Sequence, residues 1–176
     1  AAQVLQPAPG RIAPPCPVAG LCGGCDFQHM MLDIQRELKE DVVREQLQRL
    51  AHLEPAFAVE PVPDDQNGLH WRTRLRYHID RNATPAVVGL RAHRSARVVA
   101  LPSEGCLIAD LRGPTPNRLT ELAAAGAGDE LVVATTSAGE VSVLLDGMAM
   151  QGGKLVTERV GGRDFKKKKK RLSSDF

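Results

Sequence analysis

Residues 71–80 read WRTRLRYHID, and their alternation decides the fold class. Side chains repeat with a period of two along an extended chain. Trp71, Thr73, Leu75, Tyr77 and Ile79 therefore fall on one side, and Arg72, Arg74, Arg76, His78 and Asp80 on the other. One apolar and one charged face mark a half-buried antiparallel strand. Because the single Trp and the single Tyr of the chain share the apolar face, both are expected as core anchors, not as base-stacking platforms.

Outward from this strand, RNATP at 81–85 turns the chain, and residues 86–91 and 96–101 carry further strand patterns. Residues 117–125 predict a short helix, and 130–136, 140–145 and 154–160 three more strands. Strands joined by short turns, with few helices between them, give an α+β fold with an antiparallel sheet. AAAGAGDELVV, with Gly126 and Gly128, follows a helix and precedes a strand, the reverse of a dinucleotide loop, so it reads as a helix end and turn. Upstream, prolines keep the first seventeen residues looped or extended, apart from a short strand at 3–5. Residues 32–50 form one long helix with opposite charges four apart at Arg36/Glu40, Glu40/Arg44 and Glu45/Arg49. Its apolar residues make two stripes, so neighbours are expected on two sides. The Pro, Asp, Asn and Gly of residues 54–70 predict a connecting loop.

CPVAGLCGGC, residues 16–25, holds three of the four cysteines, with five residues between Cys16 and Cys22 and two between Cys22 and Cys25. Cys106 stands eighty residues further on. One loop can wrap three thiolates round a centre, and Cys106 would close it from the main domain. A four-cysteine zinc site uses the same residues, although zinc favours two close pairs. A thioredoxin-like CGGC pair needs a preceding strand that is absent here. Structural disulfides suit secreted chains, whereas AAQVLQPAPGRIAPP lacks a signal peptide's basic start and apolar stretch. No run of eighteen apolar residues occurs, so no membrane is implied and a cytoplasmic setting is expected. Spacing alone leaves iron-sulfur cluster and zinc both open.

CPVAGLCGGCDFQHM with the charged helix after it, then WRTRLRYHID, then GLRAHRSARVVALPSEGCLI, resemble the iron-sulfur branch of the RNA (uracil-5-)-methyltransferase family over about residues 1–165. The resemblance implies Cys16, Cys22, Cys25 and Cys106 as ligands of a [4Fe-4S] cluster. It implies methyl transfer from S-adenosylmethionine to uracil C5, ribosomal RNA being the favoured substrate. The family's nucleophile, base and methyl-donor pocket belong to a C-terminal Rossmann-like domain, so no catalytic residue is assigned in this chain, and alone it is expected to be inactive and monomeric. Residues 1–12 then stand for the remnant of an N-terminal β-barrel and linker, 13–55 for the cysteine loop and helix, 56–165 for the central α+β domain, and 166–176 for a disordered or non-native basic tail. LSSDF, residues 172–176, resembles a remnant of the junction to the catalytic domain. Gln28 and His29, beside the cysteines, are expected to steady the loop.

The net charge of +2 conceals a body, residues 1–162, that sums to −3. Within it, residues 71–97 hold seven arginines and one acid, Asp80. Such local excess suits a polyanion, and Arg72, Arg74, Arg76, Arg91, His93, Arg94 and Arg97 are the expected RNA contacts. The runner-up reading is a stand-alone nucleic-acid-binding module with a structural zinc, and a thiol oxidoreductase built on CGGC is a third.

Overall fold

A computed structural model describes residues 4–168. Among them are helix α1 (Leu32–Ala51), strands β1 (Arg74–Asp80), β2 (Val87–Arg91) and β3 (Val98–Ala100), helix α2 (Pro116–Ala124), and strands β4 (Glu130–Thr135), β5 (Val141–Leu145), β6 (Met148–Gln151), β7 (Leu155–Val160) and β8 (Arg163–Lys168). The first six strands make an antiparallel sheet in the order β3-β2-β1-β4-β5-β6, while β7 and β8 form a separate hairpin. The expected α+β class, antiparallel sheet and long N-terminal helix are all present. The proposed strand at 3–5 begins outside the described residues, as does the end of the lysine run, and the junction remnant at 172–176 lies wholly outside them.

β1 keeps its alternation: Leu75, Tyr77 and Ile79 are buried and face Val88, Leu131, Val133, Val143 and Leu145 within one core, closed by Leu119, Leu122 and Ala123 of α2. α2 starts where Thr115 accepts from Arg118 N and Pro116 takes the first turn, a position that needs no N–H partner. Its end is capped by Arg81, whose guanidinium donates to the carbonyls of Ala123, Gly126 and Gly128. The 126–128 segment is thus the turn between α2 and β4, as its order in the sequence implies.

Four expectations change. Trp71 is not a core anchor: the strand begins at Arg74, and residues 70–72 pair instead with 107–110, beyond the edge of the core, leaving Trp71 60% exposed whereas Tyr77 is 3% exposed. β6 is an additional strand, turned from β5 through Asp146-Gly147, both at positive φ. β8 is another, turned from β7 through Gly161-Gly162. It extends into the lysine run, where Lys166 and Lys167 pair with Thr157 and Val156, so the tail does not begin at 166. The reason is common to both hairpins: two residues at positive φ match the strand twist and bring the next segment back as a partner.

α1 has no buried residue. Its neighbours do lie on two sides, but both are irregular. On one, Met31 N donates to Gly10 O and Ile34 abuts Gly10. On the other, the returning loop is tied by Arg36–Asp65 at 2.6 Å, by Val59 N donating to Glu40, and by Arg44 over the Phe57 ring. Of the expected intrahelical pairs, Glu40–Arg44 forms; Arg36 turns to Asp65 and Arg49 to Gln46. No helix among the described residues is long and apolar enough to cross a membrane.

Candidate metal centre and its cationic surround

The cysteine loop reaches the sheet by backbone contact. Gly23 N donates to Arg91 O at 2.9 Å, and Cys22 bridges Ala92 just past the end of β2. A Cβ at Gly23 would stand 3.0 Å from His93 N and Cα and 3.1 Å from Arg91 O, so only glycine allows this approach without moving the hairpin backbone. From the other direction, His70 N and Arg72 N donate to Leu107 O and Ile108 O, which anchors the segment carrying Cys106 against the start of β1.

These two anchors bring Cys16, Cys22, Cys25 and Cys106 round one pocket, walled on its apolar side by Leu90, Val99 and Leu101. None of the four is in a disulfide. Burial pushes the Cys106 thiol above its ordinary value, against N–H donors from Ile108 and Ala109, with Cys25 and Cys22 adding repulsion. Cys25 is likewise raised, first by burial and then by the neighbouring Cys22 and Cys16, against a hydrogen bond from Gln28 and the charge of Arg72. Gly24 N approaches Cys22 Sγ at 3.3 Å. Four thiols lining one pocket, with N–H donors beside Cys22 and Cys106, are residues that could hold a metal centre. Among the described residues, however, no three His, Cys, Asp or Glu side chains are arranged to hold a single metal ion.

The Gln28 side chain accepts from Cys16 N at 3.3 Å and bonds Cys25, joining two members of the loop. His29 helps through its backbone, its carbonyl accepting from Ile12 N at 3.0 Å.

The arginines divide. Arg74 meets Glu158 at 3.5 Å and Arg76 meets Glu130 at 3.4 Å, so part of the charged face of β1 is neutralised by acids distant in sequence. Arg91, His93, Arg94 and Arg97 are exposed on the β2–β3 hairpin, and Arg72 is exposed ahead of β1. No ion pair among the described residues joins Arg72, Arg91, Arg94 or Arg97 to a carboxylate. His78, between Arg76 and Arg91 on the same face, has its pKa lowered by burial first and by those two charges second. Sequence reasoning missed the apolar pocket wall, which alternation alone cannot assign to a site, and it missed the exposure of Trp71.

No family model matches the chain. An uncharacterized RNA methyltransferase of Streptomyces coelicolor is 42% identical over 120 residues, which covers 62% of this chain and 25% of that protein. Another from Bifidobacterium longum is 29% identical over 174 residues, covering 90% and 40% respectively. A protein of Alkalilimnicola ehrlichii named 23S rRNA (uracil(1939)-C(5))-methyltransferase RlmD is 36% identical over 121 residues, covering 68% and 26%. The chain thus spans between a quarter and two-fifths of the length of these relatives.

Proposed function

This chain belongs to the RNA (uracil-5-)-methyltransferase family, and on that premise we propose that it is the cluster-bearing, RNA-binding central part of an S-adenosylmethionine-dependent enzyme acting on ribosomal RNA in the cytoplasm. The observation that carries the reading is the convergence of four thiols from two distant segments on one pocket. The residues fit a [4Fe-4S] group: four cysteines, N–H donors to their sulfurs, and an apolar wall. Cys16, Cys22, Cys25 and Cys106 would hold it. Zinc sites favour two close cysteine pairs, whereas here Cys106 stands alone in sequence, which supports a cluster over zinc. When bound, the cluster supplies metal–thiolate bonds that cross-link the N-terminal loop to the sheet.

Methylation at uracil C5 needs a free thiolate to add at C6 and a base to take the C5 proton. With all four cysteines round one pocket, none is left for that attack. We assign this chain no catalytic step and no S-adenosylmethionine site; it binds and orients RNA through Arg72 and the cations of the β2–β3 hairpin, and it is monomeric. Purified without oxygen, it should contain about four iron atoms per chain with matching sulfide and absorb in the visible. Stoichiometric zinc with no iron overturns the cluster.

A further inference from the structure

We propose that Trp71 is a nucleobase-stacking platform, flanked by cations that hold the adjoining phosphates of a single-stranded RNA segment. The proposal rests on the RNA-binding reading above and names the contact that reading lacks.

The sheet register supplies the juxtaposition. β1 and β2 are antiparallel with His78 opposite Gly89 and Asp80 opposite Val87, so the start of β1 and the end of β2 share one end of the sheet. Trp71 and Arg72 lie just ahead of the first; Arg91, His93, Arg94 and Arg97 lie at or just past the second. The cysteine loop docks at this same end, through Gly23 and Cys22. Neither residues 71–79 nor 91–103 include a carboxylate. Three of the acids that face β1 and its lead-in are engaged with other arginines: Glu158 with Arg74, Glu130 with Arg76, and Asp110 with Arg112.

An indole 60% in solvent leaves a large flat apolar face open to a partner. Trp71 is not loose, because its neighbours on both sides are tied by backbone bonds, His70 N to Leu107 O at 3.0 Å and Arg72 N to Ile108 O at 2.8 Å. The His70 ring adds a contact to Ala109 O at 3.1 Å. The Arg72 guanidinium stands 6.0 Å from the indole centroid, at the range of a cation–π contact. A fixed, exposed aromatic beside unpaired cations is what single-stranded nucleic acid requires: the bases stack and the phosphates pair. A duplex, whose bases are already stacked, offers only the second.

Trp71 is the only tryptophan, so its fluorescence reports this position alone. Titrating the full chain with a short single-stranded RNA while recording both anisotropy and tryptophan emission should give quenching that saturates together with binding. Trp71→Ala should weaken binding by about ten-fold or more, and Trp71→Phe should restore most of it. The same RNA as a perfect duplex, and inorganic polyphosphate, should bind without equivalent quenching. If wild type binds no RNA by anisotropy, the RNA-binding reading itself fails. If it binds RNA but emission is unchanged and Trp71→Ala binds equally well, or if polyphosphate quenches as strongly as single-stranded RNA, stacking is overturned while RNA binding stands.

Discussion

The sheet with α2 and the segment that carries the cysteines and α1 are held together by different means. The sheet is closed by apolar burial: Leu131 and Leu145 are fully buried, and Leu119 is nearly so. The cysteine segment, by contrast, contributes a twenty-residue helix with no buried residue, and depends on individual tethers such as Gly23 to Arg91, Met31 to Gly10 and Arg36 to Asp65. Burial is distributed and cooperative, whereas tethers are few and each one counts. Two regions of one short chain can therefore differ widely in the stability they contribute, and four thiols lie at the seam between them.

The largest effect that tests this contrast is Leu145→Ala. It should lower unfolding free energy by about 2–5 kcal/mol, read from the denaturant midpoint. Val42→Ala, on the exposed stripe of α1, should change it by no more than about 0.5 kcal/mol. Equal costs would erase the distinction. Next comes Cys106→Ser. It should speed proteolysis and amide exchange across residues 10–31 while the amides of β1 and β4 remain protected, and it should abolish visible absorbance if the cluster is held as proposed. Protection lost uniformly over both regions would mean that they unfold as one.

The smallest effect concerns acid. Asp110 is held down from 3.8 to about 2, chiefly by its hydrogen bond with Arg112, which also reaches Thr136 O. A carboxylate whose folded value is depressed contributes stability that is complete above its unfolded value and disappears as pH falls through the folded one. Wild type should therefore lose stability between about pH 4 and pH 2 more steeply than Asp110→Asn. Parallel curves in acid denaturation would remove Asp110 from the account.

The sheet was legible because alternation survives burial: β2, β3, β4 and β5 fall within a residue or two of their patterns, and β1 ends where its pattern does but starts three residues later. Trp71 was misread because the alternation runs on past the last residue that has a neighbouring strand, and period alone cannot tell where pairing stops. β6 and β8 carried an unused signal, since Asp146-Gly147 and Gly161-Gly162 are the two-residue turns that return a strand on itself. The pairing of Arg74 and Arg76 with Glu158 and Glu130 was not legible at all, because those acids are brought up by topology from more than fifty residues away. For the thiols, the local trio was plain in the spacing, but the meeting with Cys106 depends on residues 107–110 aligning with 70–72, which no local pattern records.

Arg81 adds a last consequence. By filling the open carbonyls at the end of α2 from the far end of β1, it stitches helix to sheet at the opposite pole from the sulfurs. A cluster held as proposed would add a second fastening, of cysteine, to this one of guanidinium and carbonyl oxygen. Chemistry that attacks sulfur, such as oxidation, would reach only the second, and damage at that pole would leave the first clasp shut.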